Sequence, residues 1–162
     1  MPEQQITLRR IHDSDAIALY RWQQDPGTHA FDPVNASPSF DKHLAWFVGR
    51  WATEHTRWFI AELHGQPIGT AYVDAHEDKI WLSVVIAPEL RGRGLGSALV
   101  RLASVTLLRQ GEPMLWARIH QGNEASLWAF TGAGYKLDRQ EGVWTFHYLT
   151  AGGAARPGAP TK

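Results

Sequence analysis

The spacing of apolar positions changes several times along this chain, and each change marks an element boundary. Thr7 to Ile11 reads as a first strand. Asp13 or Ser14 is placed to cap a helix running to about Gln24, and Asp25-Pro26-Gly27 stops it. Thr28 to Ser39 holds two prolines and no clear period, which predicts a loop. A second helix follows from Phe40 to about Thr53. Leu44, Phe47, Val48 and Trp51 fall at i, i+3, i+4 and i+7 there, one stripe expected to be buried. His43, Trp46 and Arg50 fall on a different stripe, expected to face either a cleft or solvent.

Beyond Arg57 the period shortens. Arg57 to Leu63 and Pro67 to Val73 are strand-like and joined at His64-Gly65, as in a hairpin. Lys79 to Ile86 is a third strand, rich in β-branched and aromatic residues, and Pro88 ends it. Gly94 to Gln110 is the strongest helix, with Leu95, Leu99, Leu102 and Thr106 on one stripe. Met114 to Ile119 is a strand and Glu124 to Ala133 a short helix, its end bracketed by Gly132 and Gly134. Tyr135 to Arg139 and Val143 to Leu149 form a last hairpin around Glu141-Gly142. The order β-α-α-β-β-β-α-β-α-β-β predicts an α/β domain: a mixed, mostly antiparallel sheet of about seven strands with helices on both faces. The expected domain is residues 1–150. The Gly/Ala/Pro-rich segment 151–162 is expected to be a disordered tail.

Composition narrows the partners. Lys+Arg and Asp+Glu are equal at 16 each in 162 residues, so no excess positive charge favours nucleic acid. There is no cysteine, which removes disulfides and thiolate metal sites. No metal is expected. The start MPEQQITLRR lacks the apolar core of a signal peptide, and no stretch is long and apolar enough for a membrane helix, so a cytoplasmic location is expected. Eight tryptophans are many for this length; they serve packing, or some of them line a substrate cleft.

The most informative segment is IWLSVVIAPELRGRGLGSALV, Ile80 to Val100. A strand enters Arg91-Gly92-Arg93-Gly94-Leu95-Gly96 and passes straight into a long helix. Glycines leave the backbone bare, and the helix start supplies free N–H groups and partial positive charge. This is an anion site suited to a phosphate or pyrophosphate, with Arg91 and Arg93 adding charge. The spacing G-x-G-x-G and its place in mid-chain do not fit a dinucleotide fingerprint. No G-x-x-x-x-G-K-[ST] occurs, which excludes a Walker A loop.

Arg91-x-x-Gly94-x-Gly96, after a hydrophobic strand ending in Ala-Pro, resembles motif A of the GNAT acetyltransferases, [QR]-x-x-G-x-[GA]. Asn123 to Tyr135 resembles that family's second element, N-x-x-[AS]-x-x-x-[YF]-x-x-x-G-[FY]. The resemblance spans roughly residues 5 to 149. It implies a GNAT-like fold and transfer of acetyl from acetyl-CoA to a primary amine. It also implies cofactor contacts from Val84, Val85, Ile86, Arg91, Gly92, Arg93, Gly94, Leu95, Gly96, Ser97, Asn123, Ser126 and Phe130. The strand before motif A is expected to splay from its neighbour, with the Val85 or Ile86 N–H as oxyanion donor. Asn123 either bonds the cofactor or caps the last helix.

Trp22, Asp25-Pro26 and His43-Leu44-Ala45-Trp46-Phe47 are similar to a GNAT branch that acetylates nucleotide-linked amino sugars, and to ribosomal-protein and aminoglycoside acetyltransferases. Ser83 is the candidate proton relay, the alternative being a strand serine satisfied by its neighbours. The base candidates are His43, His29, His76, Glu77 and Asp78, with His43 foremost. Phe130 stands where the family's usual acid is a tyrosine, and Tyr135 is expected in the core. The expected partner is a small-molecule amine; a homodimer is left open. The competing functions are a protein or peptide N-terminal acetyltransferase and a catalytically silent CoA-binding module.

Overall fold

The computed structural model describes residues 5–31, 38–54 and 57–153. Its elements are β1 (Ile6–Arg10), α1 (Ala16–Gln24), α2 (Phe40–Glu54), β2 (Trp58–Leu63), β3 (Gln66–His76), β4 (Lys79–Ile86), α3 (Leu95–Arg109), β5 (Met114–His120), α4 (Glu124–Gly132), β6 (Lys136–Glu141) and β7 (Trp144–Thr150). The seven strands form one sheet in the order β1-β2-β3-β4-β5-β7-β6. Every neighbouring pair is antiparallel except β4 and β5, which the α3 crossover joins in parallel. The expected α/β architecture and strand count are therefore observed. Among the described residues no helix is long and apolar enough to cross a membrane.

The sheet buries both faces. On one, Leu99, Ala103 and Leu107 of α3 and Ala129 and Phe130 of α4 pack on Phe59, Ala71, Val73, Leu82, Leu115 and Ala117. On the other, Leu19 and Trp22 of α1 and Phe47 of α2 pack on Trp58 and Ile60. The aromatic Trp58 is fully buried, and its indole N–H donates to Thr70 Oγ1 at 2.9 Å. That bond removes the cost of burying the indole's polar edge.

Local chemistry accounts for the joins. Asp25 precedes Pro26 and is extended (φ −73°, ψ 125°), so α1 cannot continue. No side chain from Asp13 or Ser14 caps α1. A 3-10 turn, Asp13–Asp15, leads in, and Asp15 Oδ2 accepts from the His12 N–H at 2.7 Å. Both Asp15 oxygens also receive the Arg9 guanidinium at 2.8 Å, which ties α1 to β1.

Two expectations shift. Pro26–His29, expected as loop, is a 3-10 turn, while 32–37 lie outside the described residues. Ala151–Gly153, expected as tail, also form a 3-10 turn, and 154–162 lie outside the described residues.

The largest correction concerns α2. Its expected buried stripe is mostly exposed: Leu44 is 39% exposed, Val48 56% and Trp51 36%, with only Phe47 buried. The inward face is the one carrying His43 (1% exposed), Phe47 and Arg50. Hydrophobic periodicity misreads this helix because its buried polar groups have partners across the fold. His43 Nε2 donates to the Ala16 carbonyl at 2.8 Å, and Nδ1 lies 2.8 Å from the Gln23 side-chain amide. The atom set against Nδ1 is Gln23 Oε1; a neutral ring with Nε2–H committed accepts at Nδ1, so the amide's O and N exchange places to present NH₂. Arg50 donates to the Val73 carbonyl at 2.8 Å, pairs with Asp74 at 2.7 Å and stacks over Tyr72 at 4.3 Å.

A second buried histidine, His147, donates from Nε2 to Thr145 Oγ1 at 2.9 Å, and its buried Nδ1 has no hydrogen-bond partner among the described residues. Burial lowers the pKa of both rings; for His43 the bond to the Ala16 carbonyl opposes this in part. The unfolded chain then takes up protons near the ordinary value of about 6.5 while the folded chain does not. Stability is therefore intact above about pH 6.5 and falls as pH drops below it, by up to about 1.4 kcal/mol per pH unit for each histidine. Thermal melts between pH 8 and 5 should show the decline beginning near 6.5; a flat Tm across that range would mean both rings are protonated without cost in the fold.

Candidate active site

The parallel pair β4–β5 is where the site forms. The two strands are paired at one register position only, Trp81 with Trp116. Beyond it β4 remains fully paired with β3 through Ile86, and β5 with β7 through His120. Each strand thus follows its outer neighbour, and a gap opens towards their carboxyl ends. This is the splay expected before the glycine loop.

Backbone direction decides which groups look into the gap. The Ala87 N–H donates to the Ile68 carbonyl on β3 at 2.9 Å, and the β3–β4 register has no irregularity. Alternation then turns the Val85 N–H towards β3 as well, and those of Val84 and Ile86 towards the gap. Of the two expected oxyanion donors, Ile86 is the one whose N–H faces the gap.

The glycine loop lies at the end of β4. Gly92 and Gly94 both have φ +77°, the left-handed region that favours glycine, and a Cβ at either would meet nothing within 4 Å. Conformation therefore demands glycine there, and the space in front of the loop is open. Gly94 is the N-cap of α3 and has no side chain to cap it, and among the described residues no other side chain bonds to that helix start. Uncapped first-turn N–H groups facing open space suit a pyrophosphate. Arg93 is exposed beside them. Arg91 is engaged elsewhere: it pairs with Asp25 at 2.9 Å and donates to Thr28 Oγ1 at 2.8 Å. Its guanidinium thus fastens the glycine loop to the α1–α2 connection.

At the end of β5, Asn123 Oδ1 accepts from the Ser126 N–H at 3.2 Å and caps α4. The capping alternative is thus realised. Phe130 is buried (6% exposed) and edge-on to Tyr135 at 4.9 Å. Tyr135 is core, as expected, and its hydroxyl is bonded to Ser104 Oγ at 2.9 Å. Burial pushes the Tyr135 pKa well up, which suits a structural hydroxyl rather than a titrating one.

The sheet face opposite α3 carries the other half of the site. Ser83 lies on it between Trp81 and Val85, with Tyr72 across the strand pair. Ser83 Oγ makes no hydrogen bond among the described residues, so the alternative of a serine satisfied by its neighbours is not realised. Trp81 contacts Trp116 and Phe146, each at 5.9 Å between ring centroids, and Trp116 contacts Tyr148 at 5.7 Å. Several of the tryptophans thus build this face, while Trp58 and Trp22 are core.

The base candidates are not brought to the gap. His43 is enclosed between α1 and α2 with both ring nitrogens engaged, so the reading of a base on an open stripe is corrected. His29 Nε2 donates to the Gln23 carbonyl at 3.0 Å. His76 ends β3 and Glu77 and Asp78 form the β3–β4 turn, at the opposite end of β4; Asp78 is five residue steps along the strand from Ser83, about 17 Å. Arg50, read as a phosphate ligand, is committed to Asp74 and Val73. The resemblance to the amino-sugar branch therefore loses the side chains it rested on.

Arg118 escaped the sequence reading. It lies mid-strand in β5, in register two residues beyond the Trp81–Trp116 pair, as Ser83 does on β4. The signal was present: one arginine interrupts the apolar run Met114 to Ile119.

Solved structures share this architecture. A spermidine N-acetyltransferase from Vibrio cholerae, in complex with CoA and spermine, superposes with a TM-score of 0.75 at 15% identity, over 90% of this chain and 95% of that one. An aminoglycoside acetyltransferase in complex with coenzyme A gives 0.74 at 22% identity, over 90% and 95%. A ribosomal-protein-alanine N-acetyltransferase from Brucella melitensis gives 0.72 at 20% identity, over 90% and 99%. No curated protein sequence matches the chain. At the level of sequence, the profile of the acetyltransferase (GNAT) domain matches residues 5–136, a span that contains the splayed strands, the glycine loop and the capped α4, and the chain belongs to that family.

Proposed function

We propose that the protein transfers acetyl from acetyl-CoA to the primary amine of a small molecule. The observation that carries this is the gap between β4 and β5, bordered by an uncapped helix start behind two left-handed glycines. The N–H groups of Leu95, Gly96 and Ser97 hold the pyrophosphate of the cofactor, with Arg93 adding charge at the rim. Val84 and Ile86 pair with its pantetheine arm through the strand edge that β5 leaves free. Acetyl-CoA supplies an acyl thioester, whose carbon the amine attacks while the C–S bond breaks. The Ile86 N–H donates to the acyl oxygen as charge develops there.

Ser83 Oγ receives the amine proton through water and passes it to solvent. It is a positioning group for that water rather than a strong base. Phe130 has no hydroxyl and the Tyr135 hydroxyl is held by Ser104, so the departing sulfur takes its proton from water. Holding amine and thioester together at the gap provides most of the acceleration under this reading.

A thiol-release assay across amine classes tests the proposal. Acetyl-CoA-dependent release with at least one small amine is expected. Release only with peptide N-termini would make the protein an N-terminal acetyltransferase, and CoA binding with no release would make it a silent module. Ser83→Ala should lower kcat about tenfold, a modest share of the ~100- to 10,000-fold range for proton-transfer groups. The acetyl-CoA KM should stay within twofold; an unchanged kcat would remove Ser83 from the proton path.

A further inference from the structure

The aromatic face beside the gap is not neutral. Arg118 is exposed, and its guanidinium lies over the Trp144 ring at 4.4 Å. The stacking fixes the guanidinium plane while leaving its N–H edge available. Among the described residues Arg118 has no hydrogen bond and no acidic partner. Lys79 reaches over Trp116 from the start of β4, with Nζ at 5.3 Å from the ring centre.

The carboxylates near this face are already engaged or distant. Asp74 is closed by Arg50 at 2.7 Å. Asp138 and Glu141 are closed by Arg139 at 3.2 and 2.7 Å. Glu77 and Asp78 sit in the turn at the far end of β4. Arg118 and Lys79 thus bring positive charge to this sheet face. Arg118 lies two residues beyond Trp116 on β5, and Ser83 two residues beyond Trp81 on β4, past the register pair that joins the two strands.

Resting on the acetyl-transfer reading above, we infer that the acceptor amine carries an anionic group, a carboxylate or a phosphate, received by Arg118 on the Trp81–Trp144 side of the gap. A planar guanidinium with no carboxylate of its own offers two parallel N–H donors to either anion. A polycation would be repelled by the Arg118 guanidinium at this position.

The test uses matched pairs that differ only in the anion: L-phenylalanine against 2-phenylethylamine, and glucosamine 6-phosphate against glucosamine, with spermidine as the polycation. Thiol release reads turnover, and quenching of tryptophan fluorescence in the CoA-loaded protein reads binding independently. The anionic member of at least one pair should have a kcat/KM tenfold or more above its partner; which pair responds separates carboxylate from phosphate. In Arg118→Gln that ratio should collapse towards one, and Arg118→Lys should restore part of it. Amine basicity is identical in wild type and variant, so the change in ratio isolates the guanidinium.

Preference for spermidine or for the uncharged members would overturn the inference, as would absence of binding by both anionic members at millimolar concentration. Anion-selective binding that depends on Arg118, with no thiol release from any amine, would instead sink the acetyl-transfer reading and leave the anion site standing.

Discussion

Gly94→Val should leave a folded protein that no longer binds CoA. Gly94 sits at φ +77° with open space where a Cβ would project. A β-branched residue there has two effects. It occupies the left-handed region at a cost of about 2 kcal/mol, which an α/β domain of this size survives. It also places a branched side chain in front of the α3 N-terminus, where the first-turn N–H groups are uncapped. Displacing a phosphate from two or more charge-assisted bonds loses about 3 kcal/mol or more, at least a hundredfold in affinity. Calorimetric titration with CoA, alongside a melting curve, separates the two effects. A folded variant with wild-type affinity would remove the pyrophosphate from this loop. Gly96→Ala is the control: Gly96 has no positive φ and its added Cβ would only touch Ile86 Cγ1 at 3.8 Å, so folding should be unaffected.

His43→Ala should act on stability and not on chemistry. The substitution deletes a fully buried ring that contacts Tyr20, Trp46 and Phe47 at centroid distances of 5.4, 5.7 and 6.4 Å. It also strands the Ala16 carbonyl and the Gln23 amide, both satisfied by the ring. Cavity formation and lost hydrogen bonds together cost about 3 kcal/mol. For a domain of this length that lowers Tm by roughly 6–12 °C. The acceptor KM and kcat, measured well below the new Tm, should stay within threefold of wild type. The opposite pattern, a tenfold fall in kcat at unchanged Tm, would return His43 to the chemistry.

The contrast between those two residues shows where the sequence was sufficient. The glycine loop is legible because its function resides in the backbone. Positive-φ glycines, a preceding strand and a following helix are local features, written in consecutive residues from Ile80 to Val100. The hairpins and the β4–α3–β5 crossover follow from the same local grammar, since element type and connection length leave few topologies open, whereas the placing of β7 between β5 and β6 is known from the fold. The expected elements accordingly match the observed ones to within a few residues at each end.

The α2 stripe was illegible for the opposite reason. Whether His43 and Arg50 face inward depends on polar partners at Ala16, Gln23, Val73 and Asp74, 20 to 27 residues away in the chain. Until those groups arrive, burying a histidine and an arginine costs more than burying Leu44 and Val48 would return, so the apolar pattern is the better guess from sequence and the wrong one in the fold. Arg118 was overlooked on similar grounds. Its access to the gap depends on β4 and β5 parting beyond the Trp81–Trp116 pair.

What the sequence by itself determined about this protein is the fold, the glycine loop that opens α3 and the family, because each is encoded in short-range spacing. Which side chains face the gap, and with what charge, was decided by the tertiary structure alone, because a buried polar group takes its role from partners that folding brings to it.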